Sequence, residues 1–230
     1  VSDAAAASPR LRAVLTGRVQ PLGRTLSAID KHAVAGAQAV QRLGLAGDAQ
    51  ADRRVHGGED KAVHCYAWSH YAAWRAALPG CALFDRPGAF GENLSIDGLD
   101  EHSVCIGERW RVGSALLEVS QGRQPCYKLN LRFGVADMAL RVQQSGRAGW
   151  YLRVLESGLL TAGDRIERVA CPYPDYSIAR LLGLIQARET RAELLAPVLD
   201  LPLPPSWRRL FEQRLHSGRS EDWQRRLHGD

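Results

Sequence analysis

The sequence predicts a mostly β chain of the α+β class: a strand-rich domain with a few peripheral helices, followed by a small three-helix module. Three observations carry this. Short runs in which apolar and polar residues alternate recur between Leu11 and Val169, punctuated by Gly and Pro. Helical spacing inside that span is confined to brief stretches. From Ser177 onward, past Pro172-Tyr173-Pro174, the apolar spacing is helical.

In order, Leu11–Val19 reads as a strand ended by Pro21 and Gly23. Ser27–Val34 and Ala39–Leu45 are candidate strands parted by Gly36. Asp48–Val63 is polar and contains Gly57-Gly58, so it reads as a structured loop, with Ala62–Tyr66 a short buried strand after it. Ser69–Leu78 is Ala-rich and stops at Pro79-Gly80, which predicts a helix capped by Ser69. Phe90–Ile96 follows a Pro87-Gly88 turn and enters a strand. Arg109–Val112 and Ser114–Gln121 form a hairpin around Gly113. Tyr127–Phe133 is a helical turn, Ala136–Gln144 a helix, and Gly149–Leu155 and Asp164–Val169 are strands. In the module, Ser177 can cap Ile178–Ile185, Thr190 and Glu193 suit a capping box, and Trp207–Leu215 is a third helix behind Pro204-Pro205.

Composition narrows the function classes. A chain of 230 residues, 45% hydrophobic, can bury a sizeable core. No apolar run approaches the roughly 20 residues of a membrane helix. Val1–Pro9 lacks the charged and apolar regions of a signal peptide and is expected to be a frayed terminus. The cysteines, Cys65, Cys81, Cys105, Cys126 and Cys171, are odd in number, widely spaced and without a C-x-x-C. That argues against a disulfide framework, a zinc knuckle or an iron–sulfur cluster, and for a reducing, cytoplasmic compartment. A net charge of +5 favours anionic partners modestly and is too diffuse to predict nucleic-acid binding. The basic residues are nearly all Arg; Lys31, Lys61 and Lys128 are the only lysines, and two of them fall inside motifs. Either a compact ammonium is wanted there or the placement is chance.

The stretch Val119-Ser120-Gln121-Gly122-Arg123-Gln124-Pro125-Cys126-Tyr127-Lys128 places Cys126 on a turn at the end of a strand, between two cations. Cations beside a thiol favour the thiolate, which is both nucleophile and soft metal ligand. The other cysteines are expected to be buried and inert. In the loop Asp48–His64, the spacing of His56, Asp60 and His64 would make a metal face on a helix, but Gly57-Gly58 argues against that helix. A Gly-Gly turn whose N–H groups, with Lys61, bind a phosphate or pyran oxygen is the better reading; a structural turn is the alternative. In Pro87–Leu94, Glu92 and Asn93 could fix a ligand or satisfy turn backbone. Arg153 in Gly149–Arg153 is an anion contact or a surface charge. There is no G-x-S-x-G, P-loop, H-E-x-x-H or Rossmann glycine fingerprint.

Together the series DAQADRRVHGGEDKAVHCY, PGAFGENL, IGERWRVGSALLEVSQGRQPCYKL, GWYLRVLESG and TAGDRIERV resembles the MOSC domain, the molybdenum-cofactor sulfurase C-terminal type, over residues 11–171. The tail, 175–230, resembles the three-helix module of the YiiM-like branch. The resemblance implies a barrel-like fold that holds molybdopterin, with Cys126 as the protein ligand of molybdenum. It implies cofactor contacts at His56, Lys61, Asn93, Arg123 and Lys128, and a chemistry independent of pyridoxal phosphate. It further implies reduction of N-hydroxylated compounds, such as 6-N-hydroxylaminopurine and related base analogues, to the amine, a detoxifying activity. The chain has no flavin fingerprint, so its electrons would come from a separate flavoprotein. Glu92 or His56 would manage protons. Two other classes stay open: a sulfur-carrier or cofactor-delivery protein with a persulfide on Cys126, and a non-catalytic binding module for nucleotides or RNA using Arg208, Arg209, Arg214, Arg219, Arg225 and Arg226. The acids interleaved in that tail make a solvated helical face the better reading of those arginines.

Overall fold

A computed structural model describes residues 8–51 and 57–229. His56 and most of the expected frayed start lie outside the described residues, as does the His56–Asp60–His64 spacing taken as a set.

The strands are β1 (Arg10–Thr16), β2 (Gln20–Leu22), β3 (Thr25–Ser27), β4 (His32–Ala33), β5 (Gln38–Gln41), β6 (Gly44–Leu45), β7 (Val63–Ala67), β8 (Leu94–Asp97), β9 (Arg109–Val112), β10 (Ala115–Gly122), β11 (Trp150–Glu156), β12 (Gly158–Leu160) and β13 (Ile166–Ala170). The helices are α1 (His70–Ala77), α2 (Lys128–Phe133), α3 (Met138–Ser145), α4 (Ile178–Gln186), α5 (Ala192–Leu195), α6 (Pro205–Ser217) and α7 (Gln224–His228). Eight strands form one sheet in the order β13-β9-β10-β11-β7-β8-β1-β4. Among the described residues only β7 and β8 pair parallel, and α1 lies in the connection between them, as a parallel pair requires.

This sheet curls until its ends meet. Arg10 bridges Arg165, Leu11 N–H donates to Asp164 O at 2.9 Å, and Ile166 N–H donates to Pro9 O at 2.9 Å. The expected barrel-like architecture is therefore present, closed by short contacts between β1 and the start of β13. Closure removes the open edge that β13 would otherwise expose.

One cluster of buried apolar residues runs from the sheet (Val63, Leu117, Val119, Trp110, Trp150) into the helical module (Ile178, Leu181, Trp207, Phe211, Trp223, Leu227). A second, aromatic cluster under α1–α3 packs Tyr66, Tyr71, Trp74 and Phe84 around Phe90, with the Tyr66 and Phe90 rings stacked 4.2 Å apart. Among the described residues no helix is long and apolar enough to cross a membrane.

Several local expectations need correction. Ser27–Val34 is not one strand: Ser27 Oγ accepts from Ile29 N–H at 3.2 Å, and this local bond competes with a ladder. β3 therefore stops at Ser27, and β4 starts afresh at His32. Ala39–Leu45 folds back as the β5–β6 hairpin. Ser69 does not cap α1; its own backbone is helical (φ −55, ψ −28) and its side chain makes no cap bond. The Thr190/Glu193 box does not form, because the Glu189 carboxylate accepts from the Thr190 and Arg191 N–H groups first, both at 3.0 Å. Ser177 does cap α4, accepting from Arg180 N–H at 3.1 Å. The expected third helix is α6, and α7 beyond it is an addition.

Candidate functional site

β10 delivers Cys126. A register irregularity between Val119 and Gln121 marks the strand's last stretch, where a bulge can re-aim the chain. Gly122 then passes so close to α4 that a Cβ there would meet Leu182 Cγ at 2.8 Å. Arg123 N–H donates to Gly149 O at 2.9 Å, and Cys126 O accepts from Leu129 N–H at 3.0 Å as α2 begins. The thiol is half-buried between these two anchors.

Cys126 lines a cavity of about 110 Å³ together with Lys31, Lys61, Lys128, Arg123 and Asp48. All three lysines of the chain thus converge on one site, although 27 of its basic residues could have been chosen instead (30 Lys+Arg less the three lysines). The sparse lysines expected in two motifs belong to a single cluster, and Lys31, which no motif claimed, completes it.

Asp48 is the one carboxylate among the described lining residues. It forms a short ion pair with Lys31 and accepts from Gly17 N–H at 2.8 Å and Asn93 Nδ2 at 2.9 Å. Burial pushes the Lys31 ammonium below its ordinary range, with Asp48 opposing that shift. Burial lowers Lys61 likewise, and the nearby Cys126 sulfur opposes the shift. Lys128 is buried and donates from Nζ to Leu26 O at 2.9 Å. Its ammonium thus also ties the β3 end to the cavity, and the charges of Lys61 and Arg226 act on the Cys126 thiol as well.

Two buried polar atoms on lining residues have no hydrogen-bond partner among the described residues: Nη1 of Arg123 and Nε2 of His64. Burial, and then the Arg123 charge, hold the His64 imidazole well below its ordinary range, so it is neutral at pH 7. Burial raises the Tyr151 phenol, which stands against Arg123 and Cys126 and also lines the cavity. His64 and Tyr151 as pocket residues were missed from the sequence. Their signal was present: they are partners in the β7–β11 ladder, within two of the motifs already singled out.

Other candidates have structural jobs. Glu92 is fully buried and accepts from Tyr71 Oη at 2.5 Å, Gly88 N–H at 2.8 Å and Phe90 N–H at 3.1 Å, so it ties its own loop and is not available to manage protons. Asn93 lines the cavity, but its amide is taken by His64 N–H, Leu15 O and Asp48. Arg153 is a tie between elements, bonding Glu118 at 3.0 Å, Asp60 at 2.8 Å and Pro202 O at 3.3 Å. In the tail, Arg214 is buried against Glu221 and the carbonyls of Leu184 and Ile185, Arg208 bonds Leu199 O and Leu201 O, and Arg226 bonds Pro125 O. Three of the six arginines considered for nucleic-acid binding are thus spent inside the fold.

The cysteine expectation also needs correcting, since Cys171 is exposed and Cys81 half-buried. Cys171 and Cys105 lie with Glu108 in a compact group. Glu108 is saturated there by Arg168, Trp110 Nε1 at 2.8 Å and Cys105 N–H at 3.0 Å.

Residues 52–167 match the model of the MOSC domain family, and the E. coli (strain K12) protein YiiM is 40% identical over 94% of this chain and 97% of its own length. The chain belongs to the MOSC family. Residues 177–218 match the YiiM-like, 3-alpha helix domain. The crystal structure of YiiM from Escherichia coli superposes with a TM-score of 0.79 at 32% identity, covering 95% of this chain and 98% of that one. A protein of Gibberella moniliformis named "Reductase" is 38% identical over 85% of this chain, which spans 35% of that longer relative.

The MOSC family is associated with the molybdenum cofactor, an anionic pterin that carries a thiophilic metal. The residues present fit such a group. Among the described lining residues four cations face one carboxylate that is already paired, a buried guanidinium N–H has no partner, and a half-buried thiol stands beside them.

Proposed function

We propose that this MOSC protein is a molybdenum-cofactor-dependent reductase that converts N-hydroxylated compounds to the amine, with 6-N-hydroxylaminopurine and related base analogues as the substrate class. The observation that carries the reading is the placement of Cys126 in a cavity that gathers every lysine of the chain and the under-bonded Arg123. The fungal relative named for reductase activity supports the reaction class.

Each residue then has a task. Cys126 Sγ would be the protein ligand of the metal. Arg123 and Lys61 would balance the anionic groups of the pterin, and the Lys31–Asp48 pair fixes part of the cavity wall. Lys128 holds the Leu26 carbonyl and with it the end of β3. When bound, the cofactor supplies the two-electron chemistry: R–NHOH, two electrons and two protons give R–NH₂ and water. Tyr151 Oη, which lines the cavity near Cys126 and carries its proton, would be a proton donor there, although burial makes it a weaker acid than an exposed phenol. The electrons come from a separate flavoprotein, and the setting is cytoplasmic.

The test is direct. Protein made in cofactor-competent cells and given a chemical electron donor should reduce 6-N-hydroxylaminopurine, and Cys126→Ala should lose more than the roughly 10–100-fold typical of removing an outer-shell partner. Full activity in Cys126→Ala would overturn the assignment. A persulfide on Cys126 by mass spectrometry, with no molybdenum bound, would indicate sulfur delivery instead.

A further inference from the structure

We infer that the C-terminal segment Trp223–Gly229 is a working part of the site and that Arg226 is a positioning residue for Cys126. The inference rests on the reading of Cys126 as a metal ligand and adds what aims its sulfur.

Residue 226 grips both neighbours of Cys126. Its guanidinium Nη1 donates to Pro125 O at 2.5 Å, and its backbone carbonyl accepts from Tyr127 N–H at 2.8 Å. The turn's own backbone bonds begin further out, at Arg123 N–H and Leu129 N–H. Residue 226 thus reaches both peptide groups that flank Cys126: among the described residues it alone is seen to hold the Pro125 carbonyl, and it shares the Cys126–Tyr127 peptide with Leu129 N–H, which donates to Cys126 O. The other arm of the guanidinium, Nη2, donates to Gln143 Oε1 at 2.6 Å, which fixes the fork against α3.

Neighbouring contacts make this a clamp. Asn130 Nδ2 on α2 donates to Leu227 O at 2.8 Å. Gly229 (φ 83) lies so close to the Tyr127 ring that a Cβ would meet it at 2.7 Å. Trp223 and Leu227 are buried in the main core cluster, so the segment is anchored on both sides of Arg226. Burial lowers the Arg226 guanidinium and the Cys126 sulfur opposes that shift, as expected for a cation standing near the thiol. The segment lies past residue 218, where the match to the 3-alpha helix domain ends. A helix of five residues has no strong sequence signal, and it is held here by what it grips.

The experiment uses full-length protein with Arg226→Ala, Arg226→Lys and, as a control, Arg225→Ala on the exposed side of the same helix. Hydrogen exchange of the metal-free protein reads the brace without the cofactor. Arg226→Ala should speed exchange of the Tyr127 amide and its turn by about tenfold, with Arg226→Lys between it and wild type and Arg225→Ala unchanged. In cofactor-loaded protein, Arg226→Ala should also alter the electron paramagnetic resonance signal of molybdenum, a readout that a general loss of stability would not move. Exchange within about twofold of wild type in the turn, or an unaltered signal, would overturn the inference. Should Arg226→Ala fail to fold, Gln143→Ala, which frees only the second arm, should give the same exchange change to a smaller degree; no change would again overturn it. If wild-type protein bound no molybdenum, the cofactor reading would fall while the exchange result still decided whether the tail holds the turn.

Discussion

The loop Gly88–Asn93 and the turn Gly122–Cys126 border the same cavity, each bears a buried charged residue, and they treat that charge in opposite ways. Glu92 is surrounded by three donors, and Asn93 spends both ends of its amide on backbone and Asp48. Arg123, 6% exposed, keeps Nη1 without a partner among the described residues. An unpaired buried polar group costs free energy and a satisfied one stabilises. The first loop is thus wall, and the second holds a deficit that an anionic ligand would relieve. Glycines and polar residues occur in both; the degree of hydrogen-bond saturation separates scaffold from site.

The sharpest way to break this comparison is to exchange the expected consequences. Glu92→Ala leaves the Tyr71 hydroxyl proton and Phe90 N–H without their acceptor and Gly88 N–H with only Tyr71 Oη, and chemical denaturation should show a loss of about 3–5 kcal/mol. Its surviving folded fraction should still bind phosphate-containing ligands. Arg123→Gln should do the reverse: stability within about 1 kcal/mol of wild type, and pyrophosphate affinity by calorimetry reduced about tenfold. If Arg123→Gln unfolded the protein and left binding intact, the turn would be wall as well.

A smaller effect sharpens the account of His64. Its pKa in the fold is held well below the 6.5 of an ordinary imidazole. Above that ordinary value the group is neutral in both states and costs nothing. As pH falls below it, the unfolded chain takes up a proton that the folded chain refuses, so stability is lost progressively towards the folded pKa. Denaturation midpoints should therefore fall more steeply for wild type than for His64→Gln, by up to about 1.4 kcal/mol per pH unit. Parallel curves would show that His64 is not held neutral.

Much of the fold was legible because its determinants are local. The β9–β10 hairpin turns at Gly113 (φ 55), β11 alternates as its sequence suggests, and Ser177 caps α4. What could not be read depends on residues far apart in the chain. The closure of β1 on β13 rests on backbone bonds at Leu11 and Ile166 that leave no side-chain pattern. Arg214 looked like part of a solvated face, yet it is 1% exposed and collects carbonyls from α4. At the site, the strand-end position of Cys126 was visible, since Gly122 and Pro125 announce the turn. Its sequence neighbours Arg123 and Lys128 do line the cavity with it, but Lys128 also bonds Leu26 O, and Arg226, far along the chain, reaches in from the tail unforeseen. The scarcity of lysine was the better signal, because all three converge on the cavity.

The central claim is that the deficit around Arg123 and the thiol of Cys126 together hold a pterin-bound metal. Metal analysis of protein purified from cofactor-competent cells, wild type beside Cys126→Ala, tests it most directly. The account predicts about one molybdenum per chain in wild type and almost none in the variant. Wild-type protein devoid of molybdenum, or a variant that retains it in full, would contradict the account.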